Sequence, residues 1–280
     1  NINTQTNLQK IIWMSSVKSD LMLHSNNLIV ELTEAPTWDY FLKNFYALNK
    51  PVIIRNTINK KYEEINIDFL YNKYENFKVE IQKGRNSIKN YEIESNKLKE
   101  KIGFKDFIKL IKINTDNDIY LTANNNKNKN IEKIKTDILD MIVDNSPPWS
   151  YLTNKFNDKS FIWVGPKNSK TPYHHDLTNN LFIQIYGKKE FTLIPSIYIN
   201  KMYNNHHVFS DVPSFDYDEN ELDKYPEYRK INPINITVNP GDILFIPIGW
   251  WHKVKGLSET IGLSFINFKA KNNYNLSYPV

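Results

Sequence analysis

The side chains best suited to chemistry in this chain are its histidines. There are six: His24, His174, His175, His206, His207 and His252. Two settings stand out. The first is Thr171-Pro-Tyr-His-His-Asp-Leu-Thr-Asn-Asn180. Side chains two apart on a strand share a face, so His174 and Asp176 point one way and His175 the other. The second is Pro240-Gly-Asp-Ile-Leu-Phe-Ile-Pro-Ile-Gly-Trp-Trp-His252, where an apolar strand runs into a turn and delivers a histidine at its end. Together, His174, Asp176 and His252 would supply two imidazoles and one carboxylate. That set leaves three adjacent corners of an octahedral metal open, as non-haem ferrous oxygenases require. Each fragment alone has a plainer meaning. His-x-Asp is often a hydrogen-bonded loop pair, and a histidine behind two tryptophans suits a core. Their setting joins them: both sit at strand edges of a β-rich half, with a Gly-x-Lys strand between them.

Other polar groups near these segments weigh differently. Lys189, in Tyr186-Gly-Lys-Lys-Glu-Phe191, can bring a positive charge into a barrel, its plainer reading being a surface lysine. Adjacent strand residues face oppositely, so Lys188 is the better candidate for solvent. His206 and His207 point apart on an extended segment, which favours a loop role over a second metal pair. His175 packs or faces the site from behind and takes no catalytic role. Trp250 and Trp251 read as packing that keeps a metal site dry. The acidic run from Asp211 to Asp223 reads as a solvated loop, with steering of a basic substrate as the other reading.

These residues need strands to hold them. After about residue 160 the chain becomes a series of short β-type runs: Phe161–Val164, Leu181–Tyr186, Glu190–Ile194, Ile234–Val238, Asp242–Ile246 and Thr260–Ile266. Gly187, Pro240-Gly241 and Gly249 separate them, a pattern that predicts a sandwich or barrel. A longer polar insertion, 196–230, interrupts the series and suggests a lid or substrate-facing loop. The N-terminal half mixes patterns. Pro36–Phe45 predicts a helix with Pro in its first turn, and Trp38, Phe41, Leu42 and Phe45 share one side. Pro51–Arg55 and Asp118–Ala123 predict short strands, and 104–112 a helix. The polar stretch 124–130 predicts a surface loop. No linker and no repeat of 20–50 residues appears. The expectation is one unit over 1–280, with 1–155 as N-terminal support and 156–270 as the β core.

Composition sets the outer limits. The chain has 280 residues, 40% hydrophobic and 14% aromatic, enough for a sizeable core. Its mean hydropathy is −0.55. No apolar run approaches the roughly 18 residues of a membrane span. The absence of cysteine excludes disulfides, thiolate zinc sites and cysteine nucleophiles, and fits a reducing cytoplasm. Lys+Arg 36 against Asp+Glu 31 gives +5, spread along the chain without a basic block, which argues against nucleic acid. The chain begins at Asn1 rather than Met, as a processed fragment would, and no charged-then-apolar leader points to secretion.

From about Phe161 to Phe268 the chain resembles the JmjC/cupin-like Fe(II)- and 2-oxoglutarate-dependent oxygenases. The likeness is to the protein-hydroxylase branch, and within it to bacterial cupin-like members carrying Pro-x-His-His-Asp-Leu-Thr-Asn-Asn. A weaker likeness extends upstream to Lys50-Pro-Val-Ile-Ile-Arg55 and Tyr120-Leu-Thr-Ala123. The resemblance implies a mainly β fold: a double-stranded β-helix (jelly-roll) with a mixed α/β N-terminal region packed on it. It implies Fe(II) on His174, Asp176 and His252. It matches Lys189, Thr171 and Tyr120 to the groups around the distal carboxylate of 2-oxoglutarate, and Asn180 and Asn267 to amides near the metal and the inner carboxylate. Lys269 and Ser196 depart from relatives, on the substrate side of the pocket.

The activity implied is hydroxylation of an unactivated C–H bond with dioxygen, on a protein or peptide side chain. A small molecule or tRNA base as substrate, N-methyl-lysine demethylation, and a non-catalytic metal-binding module are the alternatives. Relatives often dimerise through C-terminal helices. About a dozen residues follow Asn267, too few for a helical bundle, so a dimer would need another surface.

Overall fold

The turn residues cut the C-terminal half into strands much where the apolar runs predict them. The structure, a computed structural model, describes residues 2–24, 29–154, 156, 159–274, 278 and 279. In chain order the helices are α1 (Ile2–Leu23), α2 (Trp38–Phe41), α3 (Ile67–Lys73), α4 (Phe104–Ile113) and α5 (Lys129–Ile142). The N-terminal strands are β1 (Val30–Leu32), β2 (Val52–Ile54), β3 (Lys78–Lys83), β4 (Lys99–Gly103) and β5 (Ile119–Tyr120). The later strands are β6 (Ser160–Gly165), β7 (Lys170–His175), β8 (Asn180–Tyr186), β9 (Lys189–Ile194), β10 (Ile234–Val238), β11 (Ile243–Ile246), β12 (Trp251–Gly256) and β13 (Thr260–Phe265).

Strands β6 to β13 form two facing sheets, with orders β11-β8-β13-β6 and β10-β9-β12-β7. Consecutive strands alternate between the two sheets, except that β9 and β10 share one, the winding of a double-stranded β-helix. The first sheet is extended by β2, antiparallel to β11, and by β1, parallel to β2. The third sheet, β4-β3-β5, meets the barrel where Leu121 and Val164 exchange backbone hydrogen bonds of 3.0 and 3.1 Å. Gly187 turns β8 into β9 at φ 70°, and a Cβ there would lie 1.8 Å from the Glu259 carbonyl oxygen, so no other residue fits.

Three apolar clusters fill this frame. One lies between the first sheet and the N-terminal helices, and includes Phe41, Phe107, Ile138, Ile183 and Phe265. A second lies inside the barrel and includes Phe182, Phe191, Leu193, Ile236, Leu244 and Trp250. The third covers the outer face of β9, β12 and β7. There Tyr198, Met202, Val212, Leu222, Tyr228 and Ile231 of the insertion pack on Tyr173, Ile194 and Trp251.

The insertion is therefore chiefly an outer layer, not a lid. Several of its carboxylates are engaged locally: Asp216 with Lys170, Asp223 with Arg229, and Asp218 and Glu221 in a capping box.

Other expectations need adjustment. The 36–45 helix starts later, with Thr37 as N-cap, and widens into a π-turn over Leu42–Tyr46. The 124–130 stretch is not all surface loop. Asn125 and Asn126 are buried, and Asn126 bonds the backbone of Ile162 both ways, tying this turn to β6. The helix α5 begins inside the same polar stretch. Helix α1 was not read from the sequence. Its Leu8, Ile11, Ile12, Trp13, Met14 and Leu21 are exposed, while Met22 and Leu23 pack on the third cluster. No described helix is long and apolar enough to cross a membrane.

Candidate metal centre and adjoining pocket

Neighbouring strands β7 and β12 carry the two histidines, and His174 pairs directly with His252 across them. His252 is not delivered at the end of β11, as the apolar run suggested. It is the second residue of β12, after the Pro247–Trp250 turn. Asp176 lies just past the end of β7. Ligand atoms of His174, Asp176 and His252 lie within 4.8 Å of one another, the one such His, Cys, Asp or Glu group found among the described residues.

Second contacts orient each donor. The Nδ1 of His174 bonds the Pro172 carbonyl at 2.8 Å, and the Nδ1 of His252 bonds the Trp250 carbonyl at 3.0 Å. A carbonyl only accepts, so each Nδ1 carries the proton and each Nε2 keeps its lone pair for a metal. The Asn180 amide donates to Asp176 Oδ2 at 3.1 Å, and its own Oδ1 is buried without a partner. His252 is 4% exposed, and burial, then the neighbouring His174, pushes its imidazole down to about 4. It is neutral at pH 7, as a ligand must be. Burial alone would raise the Asp176 carboxyl, but His252, His174 and the Asn180 amide outweigh it and hold the group below its usual range. The donor set and its tautomers fit Fe(II).

The other expected residues fall into place unevenly. Lys189 is 2% exposed inside the barrel. Its Nζ donates to the Tyr120 hydroxyl at 2.9 Å and lies 5.0 to 5.8 Å from the ring centres of Phe182, Tyr120 and Trp163. No carboxylate pairs with it among the described residues, and burial pushes it down to about 7. A buried cation without a counter-ion is costly, so the cage suits an anion. Burial also raises the Tyr120 phenol, which therefore stays a hydroxyl. Lys188 is exposed, as its strand position predicts. In space β9 flanks β12 rather than separating the ligand strands.

Thr171 shows a device the sequence does not reveal. At a spacing of three, Thr171 and His174 would face opposite ways on a regular strand. The β7–β12 register slips between His252 and Val254, so Thr171 pairs with Val254 and His174 with His252. The extra residue in β7 is a β-bulge that turns both side chains to the same face. Asn267 is set apart from this network: its amide donates to the Thr153 carbonyl at 2.8 Å, and its Oδ1 is buried without a partner.

The remaining histidines behave as spare groups. His175 faces outward, edge-on to Trp251, with Nε2 3.1 Å from the Tyr278 hydroxyl. His206 faces Asp211, while His207 sits edge-on to Tyr278. Sequence reasoning missed Phe209. The insertion pairs along β7 here, with His175 N–H donating to the Val208 carbonyl at 3.0 Å, and sets the Phe209 ring 6.0 Å from His174. Outside Asp176, a half-open cleft of about 300 Å³ is lined by Leu177, Ile199, Ile248 and Tyr274.

A double-stranded β-helix with two histidines and a carboxylate converging at its mouth, and a caged lysine within, defines the class of JmjC/cupin metal-dependent oxygenase folds. The chain belongs to the cupin-like domain family, whose profile matches residues 38–274. It is 26% identical over 264 residues to JmjC domain-containing protein D of Dictyostelium discoideum, covering 88% of this chain and 58% of that protein. It is 24% identical over 242 residues to Lysine-specific demethylase JMJ30 of Arabidopsis thaliana, covering 84% of this chain and 54% of that protein. With Lysine-specific demethylase 8 of Xenopus tropicalis it shares 25% identity, over 57% of this chain and 35% of that protein. The chain thus spans little more than half the length of the first two relatives. The family's cofactors are Fe(II) and 2-oxoglutarate, and His174, Asp176 and His252 form the iron-binding candidate.

Proposed function

We propose that this protein is an Fe(II)- and 2-oxoglutarate-dependent hydroxylase acting on a protein or peptide side chain. The observation that carries this reading is the convergence of His174, Asp176 and His252 within 4.8 Å. Lys189, caged in the same barrel without an anionic partner, supports it. The bound metal with its keto acid supplies oxidation of an unactivated C–H by dioxygen, coupled to conversion of 2-oxoglutarate to succinate and carbon dioxide.

The chain's own residues do the rest. His174 and His252 present Nε2 because backbone carbonyls hold their other nitrogens. Asp176, held by Asn180, would complete with them a three-donor set for the metal. Lys189 supplies positive charge to the far carboxylate of the keto acid, with the Tyr120 and Thr171 hydroxyls beside it. The rings of Phe182, Trp163 and Tyr120 keep water from that end, which strengthens the charge pairing. His174 and Asp176 are half-buried while His252 is buried, so the substrate approaches from the side of the first two. Phe209 and the apolar cleft beside Asp176 offer it a surface.

The test is 2-oxoglutarate-dependent oxygen consumption. We expect turnover in the wild type and none in His174→Ala or Asp176→Ala; undiminished turnover in both would remove the reading. A non-catalytic module has no use for Lys189, and absence of heat when 2-oxoglutarate is titrated into Mn(II)-loaded protein would favour it. Two relatives are named as lysine-specific demethylases, which gives demethylation a place as second reading. Mass spectrometry of candidate peptides separates the two, since hydroxylation adds one oxygen and demethylation removes a methyl group as formaldehyde.

A further inference from the structure

A fully buried arginine stands behind the caged lysine, and the proposed chemistry leaves it unused. Arg85 follows β3 and is 0% exposed. Its Nη2 donates to Glu92 Oε1 and to the Lys170 carbonyl, both at 2.7 Å. Its Nη1 donates to Gln82, and its Nε to Asn117 at 3.4 Å. The guanidinium lies between two rings, 4.4 Å from the centre of Tyr91 and 5.3 Å from that of Tyr120. The Tyr120 hydroxyl accepts from Lys189.

The two hydroxyls expected around the distal carboxylate come from different sheets. Tyr120 belongs to the three-stranded sheet and Thr171 to the four-stranded one. Arg85 touches both supports: the Tyr120 ring itself, and the carbonyl of Lys170, the residue before Thr171. A buried ion pair is weak ground for stability. A rigid, forked cation is well suited to fixing one element against another.

We propose that Arg85 is a positioning residue of the co-substrate pocket, clamping the Tyr120 ring and the start of β7 so that the Tyr120 and Thr171 hydroxyls keep a fixed spacing around Lys189. This rests on reading the pocket as the 2-oxoglutarate site. Arg85 touches neither metal nor co-substrate. Its effect runs through Tyr120 and β7, and it falls on co-substrate affinity while the metal ligands, held by their own contacts with the Pro172 and Trp250 carbonyls and the Asn180 amide, are spared.

Calorimetry on the full chain tests this with Mn(II) and 2-oxoglutarate as probes. Arg85→Lys keeps a charge for Glu92 and so guards against unfolding; Arg85→Gln removes it. Both variants should bind 2-oxoglutarate about 10- to 100-fold more weakly, the scale on which partners of ligating groups act, with Mn(II) affinity and circular dichroism unchanged. In a Tyr120→Phe background the loss from Arg85→Lys should shrink, because the hydroxyl it positions is already gone. Equal 2-oxoglutarate affinity in wild type and both variants overturns the clamp alone. A parallel fall in Mn(II) affinity assigns Arg85 to general stability and overturns it too. If the wild type itself binds no 2-oxoglutarate, the reading of the pocket fails and the clamp falls with it.

Discussion

At Lys189 the chain holds an ammonium group where no carboxylate meets it, and the consequence is a pH dependence of known sign. In the unfolded chain this lysine titrates near 10.5; in the folded, ligand-free barrel burial brings it to about 7. Between those values the unfolded chain holds a proton that the folded one releases. Stability therefore rises with pH across this window, by up to about 1.4 kcal/mol per pH unit from this group. Below pH 7 both states are protonated, and the folded state carries the full penalty of a buried charge. Denaturant titrations at pH 7 and pH 9 should show the wild type gaining stability relative to Lys189→Met; a constant difference between the two would count against it. A dianion beside Nζ restores the charged form. Binding of 2-oxoglutarate at pH 8 should then take up a proton, which calorimetry in two buffers of different ionisation heat would detect.

At the scale of elements, the pocket depends on close approach between β5 and β6. Gly165 ends β6, and a Cβ there would lie 2.7 Å from Tyr120 Cδ2 and 3.1 Å from Ser169 Cβ. Overpacking of this kind costs about 1–3 kcal/mol. Gly165→Ala should lower the melting temperature and weaken 2-oxoglutarate binding while Mn(II) binding persists. A lower melting temperature with unchanged co-substrate affinity would detach Tyr120 from the pocket. The barrel strands were legible because each is an apolar run closed by Gly or Pro, and the metal set because its residue types are rare and its spacing fits strands. The β7 bulge was not, since nothing local marks a slipped register. Asn125 and Asn126 read as solvent-facing because their partners are distant in sequence. The insertion hid its apolar anchors, Tyr198, Met202, Val212 and Leu222, among acidic residues. Helix α5 shows an apolar stripe at Ile131, Ile134, Ile138 and Ile142, masked by the lysines and asparagines around it.

For the whole molecule, the question is what joins the N-terminal support to the barrel without disturbing the site. Asp242 lies at the start of β11, while His252 follows the turn at its other end. Four residues of strand, about 13 Å at the usual rise, separate the two ends of β11. Asp242 accepts from Arg55 Nη1 at 2.8 Å, Asn56 N–H at 3.0 Å and Asn239 N–H at 2.9 Å. Arg55 in turn grips Glu31 of β1 with two bonds of 3.0 Å and donates to the Thr237 carbonyl of β10 at 2.8 Å. One network thus ties β1, β2, β10 and β11 together. Its two carboxylates differ in setting, with side-chain exposures of 4% for Asp242 and 54% for Glu31. Removing the buried carboxylate leaves Arg55 with Glu31 and the Thr237 carbonyl but weakens the hold on two backbone donors, a loss of about 1–3 kcal/mol. Removing the exposed one costs no more than about 1 kcal/mol, since water replaces it. Urea midpoints of Asp242→Asn and Glu31→Gln should separate accordingly, with Mn(II) affinity intact wherever each variant is folded. Equal, small shifts would mean the network does not close the barrel. Loss of Mn(II) binding in folded Asp242→Asn would mean that the two ends of the barrel are coupled, which the local support of each ligand, by backbone carbonyls for the two histidines and by the Asn180 amide for Asp176, argues against.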